Sequence, residues 1–202
     1  MSFGRSPSMP IPDDALDTIF RQARTHKHWK EVPLSPAVLM AIYDLMRWGP
    51  TSANCSPARI LFVVSKEARE RLRPHLLPDN VAKTMTAPAT AIIGYDLDFA
   101  RYIPYLYPQD PDAKGWFDDA AVAERTAFRN GSLQGGYFIT AARALGLDCG
   151  PMSGFDNEGV DREFFADGRV KSNFLCNIGY GDSEALHPRG PRLSFDQACR
   201  IV

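Results

Sequence analysis

The sequence predicts a mixed fold, α+β or α/β, built on a sheet of at least four strands. Helical apolar stripes alternate with short β-branched runs along most of the chain. Turn residues separate these segments, and no internal repeat, low-complexity tract or linker interrupts them. The 202 residues are 45% hydrophobic and 11% aromatic, enough to bury one core.

Residues 1–12, MSFGRSPSMPIP, lack the apolar stretch of a secretory signal and read as a flexible leader. Residues 13–202 read as a single domain. Asp13 starts a helix whose stripe is Leu16, Ile19, Phe20 and Ala23. Ser35-Pro36 supplies the N-cap and first position of a second helix, with Leu39, Ile42, Tyr43 and Met46 on one face and Gly49-Pro50 as the stop. ARILFVVS (Ala58 to Ser65) reads as a buried strand, followed by a charged helix from Lys66 and a turn at Pro78-Asp79-Asn80. TAIIGYD (Thr90 to Asp96) reads as a second strand.

Arg101 to Asp119 has no clear period, and an aperiodic stretch of that length inside a domain suggests a lid or binding loop. One long helix then runs from Asp119 to Leu145, closed by Gly146. Leu133, Tyr137, Ala141 and Leu145 form a ridge, while Ala127, Gly131, Ser132, Gly135 and Gly136 form a flat face. Each helical glycine costs up to ~1 kcal/mol against alanine, so close approach of another helix is expected there. The segment reads as a buried central helix, with a dimer interface as one place for it. LDCGPMSGF (Leu147 to Phe155) predicts a strand entering a turn, Asp156 a small helix, and SNFLCNIGYG (Ser172 to Gly181) a last strand. Ser194 and Gln197 have capping-box spacing for a final helix.

Charge and cysteine content exclude several classes of function. The formal net charge is −1, which leaves no polybasic field for nucleic acid or a membrane surface. No apolar run approaches the roughly 20 residues that span a bilayer. Cys55, Cys149, Cys176 and Cys199 are scattered without CxxC spacing, which argues for reduced, buried thiols and a cytosolic protein.

No GxSxG, HExxH, Walker loop or GxGxxG is present, and His26 and His28 diverge around Lys27, so no metal site is expected. No acid–base pair stands out, so no catalytic side chain is assigned; a cofactor with its own chemistry is implied. Five segments could hold one. They are ARTHKHW (Ala23 to Trp29), GPTSANCSPAR (Gly49 to Arg59), the Asn80/Lys83 pair, GPMSGFD (Gly150 to Asp156) and PRGPRLSF (Pro188 to Phe195). They offer cations, hydroxyls and bare backbone N–H groups.

In order and spacing these segments resemble the FMN-binding elements of the nitroreductase family, over about Asp14 to Val202. The resemblance implies an α+β fold, with a mostly antiparallel central sheet flanked by helices and the long helix at a homodimer interface. It places Arg24, Thr25, His26 and Lys27 at the ribityl phosphate, with Arg189 or Arg192 closing it. Thr51, Ser52 and Asn54 would edge the isoalloxazine, in this family often from the partner subunit. Asn80 and Lys83 would reach the pyrimidine edge, and the N–H groups of Ser153 and Gly154 would face N5. Ala23, Ser56, Ala58 and Ser153 depart from the family pattern.

These variants, with TAFRNGSLQ and PRLSF, look closely like the malonic semialdehyde reductase (3-hydroxypropanoate dehydrogenase) branch. That implies hydride transfer from NADH or NADPH through FMN to a small aldehyde. Reduction of nitroaromatics or quinones on the same scaffold is the alternative. Arg59, Arg101 and Arg129 are the candidate partners for a substrate carboxylate.

Overall fold

A computed structural model describes residues 9–202. Most of the expected leader, residues 1–8, lies outside them. Helix α1 (Asp13–Leu16) continues through one wider turn over Asp17–Arg21, and α2 spans Pro36–Met46. Next come β1 (Ala58–Val63), α3 (Lys66–Leu72), α4 (Pro78–Met85) and β2 (Ala89–Asp96). Short α5 (Ile103–Leu106) precedes the long α6 (Ala120–Ala144) and β3 (Asp148–Met152). Helix α7 (Asn157–Phe164), β4 (Val170–Gly179) and α8 (Phe195–Ala198) complete the order.

The helix starts follow the local chemistry. Ser35, Ser65 and Asp119 each accept a backbone N–H of the first turn, from Val38, Ala68 and Val122. Ser194 and Gln197 form the reciprocal capping box that their spacing predicts. Pro78 corrects one expectation. Instead of marking a turn, it stands at the first position of α4, where its missing N–H costs nothing.

The four strands lie in the order β1-β2-β4-β3, every neighbouring pair antiparallel. Alternation along β2 divides the core. Ala89, Ala91 and Ile93 pack with α2 and α6 through Ile42, Met46 and Phe138. Ile92 faces the opposite side, with Leu72, Val160 and Leu175. The sheet therefore sits between α2/α6 and α3/α7, and β1 ends it with no strand pairing its outer side among the described residues.

Gly131 and Gly135 of the flat face of α6 meet the sheet rather than the expected second helix, while Gly136 stays open. A Cβ on Gly131 would lie 2.9 Å from Tyr95 Cβ, and one on Gly135 would lie 2.5 Å from the Phe174 ring. The opposite side of the helix leaves Leu133 43% exposed and Gly136 open, while Phe128, 50% exposed, flanks the sheet side against Tyr95, so α6 is buried along one side only. The aperiodic Arg101–Asp119 stretch is also ordered. It folds into α5 and a 3₁₀ turn over Pro111–Phe117, packed through Phe99, Ile103 and Ala113 against Ala123 and Ala127. No helix of the described residues is long and apolar enough to cross a membrane.

Candidate active site

Four of the five segments converge at the β3 edge of the sheet. Thr25 forms a parallel bridge with Cys149, and the His26 N–H donates to the Cys149 carbonyl at 3.0 Å. Residues 23–26 thus run alongside β3. Arg189 Nη2 donates to the Ala23 carbonyl at 2.9 Å, while Arg24 donates in return to the His187 carbonyl. The two ends of the chain clasp each other there. Arg192 differs: its guanidinium turns back to the carbonyls of Gly190 and Pro191.

The third and fourth segments join the same edge. Asn80 Nδ2 donates to the Gly154 carbonyl at 2.6 Å, and the Leu77 N–H donates to the same oxygen at 3.1 Å. The Lys83 carbonyl accepts from Trp29 Nε1 at 3.0 Å and from Asn177 Nδ2 at 3.2 Å. Burial lowers the Lys83 pKa from its ordinary value, and the nearby Lys27 charge lowers it further, with Asp79 opposing. Two ammonium groups therefore press on one another at the mouth of the site.

His26 is placed differently from its neighbours. It is 5% exposed, its Nε2 lies 3.2 Å from Asp148 Oδ1, and its ring covers Gly181 so closely that no Cβ would fit there. Asp148 Oδ2 also accepts the Gly181 N–H at 2.8 Å. The remaining ring nitrogen, Nδ1, is buried without a partner among the described residues. Such an orphan costs about 1–3 kcal/mol if nothing binds it.

The second segment lies elsewhere. It precedes Ala58, which pairs with Tyr95, whereas Cys149 pairs with Ile178 and through it stands level with Ala89. That separation is six residues along β2, about 20 Å, and three strand spacings, about 14 Å. Thr51, Ser52 and Asn54 thus occupy the opposite corner of the sheet from Arg24 and Lys83, while Gly154, two residues past Met152, lies nearer their level but on the far edge, three strands away.

That corner has its own supports. Asn130 Oδ1 and Gln134 Oε1, one helical turn apart on α6, accept the N–H groups of Ser52 at 2.9 Å and Ala58 at 2.8 Å. Thr51 Oγ1 accepts the Ser56 N–H at 3.1 Å, and Asn54 Nδ2 donates to the Leu106 carbonyl at 2.8 Å. Ala53, Asn54 and Ser56 have φ of 48°, 49° and 39°, the left-handed region that side chains disfavour by roughly 1–2 kcal/mol each. Strained backbone held in place by such contacts clusters at ligand-binding loops.

The sequence reading missed several supports, namely Trp29, Asp148, Asn177 and the Asn130/Gln134 pair. Only the last had a legible signal, two amides at i, i+4 among small residues on a helix. Among the described residues no group of three His, Cys, Asp or Glu side chains could hold a metal ion.

The basic, backbone-rich edge suits a phosphate-bearing planar ligand. The N–H groups of Ser153 and Gly154 donate to no acceptor among the described residues, and with the nearby Lys27 and Lys83 charges they suit an anion.

Comparison with known proteins gives a consistent picture. Residues 10–180 match the model of the nitroreductase family. A Cupriavidus pinatubonensis protein, provisionally named an NADH dehydrogenase/NAD(P)H nitroreductase, is 55% identical over 94% of this chain and 98% of its own. A Polynucleobacter asymbioticus protein of the same provisional name is 58% identical over 95% and 98%. Among solved structures, a provisionally assigned nitroreductase of Exiguobacterium sibiricum in complex with FMN superposes with a TM-score of 0.84. It shares 18% identity and covers 96% of this chain and 100% of that one. An enone reductase of gut-bacterial fatty acid saturation superposes with a TM-score of 0.77 at 17% identity, covering 96% and 100%. A chain that matches the family model over most of its length, and is more than half identical to relatives it spans nearly end to end, belongs to the nitroreductase family.

Proposed function

We propose that this protein is an FMN-dependent NAD(P)H oxidoreductase that works as a homodimer with two shared sites. The observation that carries the reading is a row of groups along β3: Arg24 and Arg189 interlocked beside Cys149, Lys83 tied to Asn177 at the level of Gly150, and the bare amides of Ser153 and Gly154 past the strand's far end. Arg24 and Arg189 would hold the FMN phosphate from both chain ends, with Thr25 and Lys27 beside it. Arg189 is favoured over Arg192, whose donors its own turn engages. His26 would contribute only through Nδ1, since its other nitrogen faces Asp148. Asn80 would orient the Gly154 turn, Lys83 would approach the pyrimidine edge, and the amides of Ser153 and Gly154 would face the ring nitrogen that exchanges hydride. Bound FMN supplies hydride exchange between a nicotinamide and an acceptor.

The two corners support the homodimer: a second copy would bring Thr51, Ser52 and Asn54 to the ring system that Lys83 of the first would meet. Two further features support association. Helix α6 exposes Phe128 and Leu133, and the last sixteen residues, 187–202, are all exposed, with apolar Leu193, Phe195, Ile201 and Val202 among them.

For the acceptor we favour a small aldehyde bearing an acid group, with malonic semialdehyde reduced to 3-hydroxypropanoate. The support is the resemblance of WGPTSANCSPAR, TAFRNGSLQ, GPMSGFD and PRLSF to that branch. Of the three arginines considered for the acid group, Arg59 and Arg101 face Asp96. Arg129 is exposed on α6 and is in no ion pair with the described residues, which leaves it the better placed of the three. The relatives' names favour a second reading, reduction of nitroaromatics or quinones.

The test is an anaerobic spectrum of the purified protein, with NADH or NADPH added first and an acceptor second. A flavin band that bleaches with nicotinamide and returns with malonic semialdehyde is the expected result. Return only with a nitroarene or quinone would move the function to the second reading. A protein that takes up no FMN would overturn both.

A further inference from the structure

Asp96 closes β2 with 1% of its surface exposed. A carboxylate persists there only because charges and donors surround it. Its Oδ2 accepts from Arg59 Nη2 at 2.7 Å and faces Arg101 Nη2 at 3.4 Å, and its Oδ1 accepts the Asp98 N–H at 2.9 Å. The backbone takes part as well, with the Asp96 N–H donating to the Pro57 carbonyl at 2.9 Å.

The two arginines lead in different directions. Arg59 Nη1 donates to the carbonyls of Ser56 at 3.1 Å and Ala58 at 2.8 Å, which grips the end of the left-handed loop. Arg101 pairs with Asp98 at 2.8 Å and donates to the Tyr102 hydroxyl at 3.0 Å, at the root of the aromatic 101–119 stretch. Both guanidiniums lie over the Tyr102 ring, 5.3 and 4.7 Å from its centre. Asn54 closes the circuit through the Leu106 carbonyl. One buried carboxylate thus anchors the loop and the aromatic stretch to the sheet together.

We propose that Asp96 is a positioning residue: through Arg59 it holds the 51–56 loop in the strained shape that meets the cofactor of the other subunit. The inference rests on the shared-site reading above. Asp96 itself is too buried to touch a ligand. Loosening it lets the loop relax toward ordinary backbone angles and away from the ring it edges.

The experiment uses Asp96→Asn, which keeps the shape and removes the charge. A folded, FMN-loaded dimer with turnover lowered roughly tenfold or more is expected, since misplacement by an ångström can cost up to ~10²-fold. Co-expression with Lys83→Ala under two tags then yields a mixed dimer. If Asp96 serves the partner's site, one of the two sites contains neither defect, and about half of the wild-type turnover returns. A purely structural defect would not be complemented.

Undiminished turnover in Asp96→Asn overturns the proposal, and so does a mixed dimer no more active than its parents. Should Asp96→Asn fail to fold, Arg59→Lys serves in the same pair of assays. Lysine keeps the charge beside Asp96 but cannot also span to the Ser56 carbonyl. Failure of the cofactor reading shows separately, as wild-type protein that binds no FMN, and failure of the shared site as wild-type protein that holds FMN while monomeric by light scattering; either takes this inference with it.

Discussion

The side-chain amide of Asn80 reaches the carbonyl of Gly154 at 2.6 Å, tying the first turn of α4 to the turn after β3. A Cβ on Gly154 would lie 2.4 Å from Asn80 Nδ2, so the bond and a side chain at 154 exclude each other. Gly154→Ala should therefore displace Asn80, cost about 1–3 kcal/mol of stability, and weaken FMN binding. Thermal unfolding and FMN fluorescence titration read the two effects. Unchanged FMN affinity would separate this turn from the cofactor.

The Lys27–Lys83 repulsion gives a pH prediction. Burial first, and Lys27 second, lower the Lys83 pKa. A lowered lysine pKa means that folding disfavours the charged form, a cost relieved as pH rises through the folded value. An anion holding the same proton acts in reverse, and its affinity falls over that range. Lys27→Met removes the repulsion, so Lys83 should stay charged to higher pH. FMN affinity measured between about pH 8 and 10.5 should weaken at higher pH than in wild type, from a lower neutral plateau. An alkaline limb that does not move would contradict the coupling.

Neighbouring glycines on α6 should behave in opposite ways. Gly→Ala normally stabilises a helix by up to ~1 kcal/mol. At Gly135 the new methyl meets the Phe174 ring at 2.5 Å, and a loss of about 1–3 kcal/mol in chemical denaturation is expected. At Gly136 no atom of the chain lies within 4 Å. If that side faces a second copy, Gly136→Ala should weaken dimerisation in sedimentation equilibrium while the subunit keeps its fold. A dimer of unchanged affinity would move the interface off this stripe.

Thiol chemistry should separate the four cysteines. Cys55, Cys149 and Cys176 are buried, and only Cys199 is exposed. Burial raises the Cys55 pKa to about 11, and the adjacent Cys149 thiol, with burial, raises that of Cys176. A colorimetric thiol reagent at about pH 8 should find one fast group per native chain, abolished by Cys199→Ser, and four after denaturation. A second fast group would mean that the core opens.

What the sequence disclosed, it disclosed through periodicity and caps. Ser35-Pro36, Asp119 and Ser194 each mark a helix start because capping is local chemistry, while Ser65, which reads as the end of a strand, caps the helix from Lys66. Strand order is nonlocal, and the antiparallel sheet entered through family resemblance alone. The glycines of α6 announced a close neighbour, yet nothing in a single chain says whether a helix or the Phe174 ring fills the space. The site divides in the same way. Asn80 bonds to Gly154, and Arg24 and Arg189 bond to each other's segments, whereas the burial of His26 against Asp148 and Gly181 depends on contacts made across 122 and 155 positions. Asp96 was invisible for the same reason, since an aspartate at a strand end looks like a solvated turn residue until both arginines are seen.

The unpaired outer side of β1 bears on how such a chain survives its own synthesis. Beyond Ala58, whose N–H and carbonyl are held by Gln134 and Arg59, a lone subunit leaving the ribosome presents free backbone groups that any extended polypeptide can copy. Among the described residues no proline or bulge blunts that edge. Overexpression that outruns assembly should divert subunits into inclusion bodies, and cooling or slower induction should recover them. Solubility in the cell then becomes a matter of partner concentration as much as of sequence.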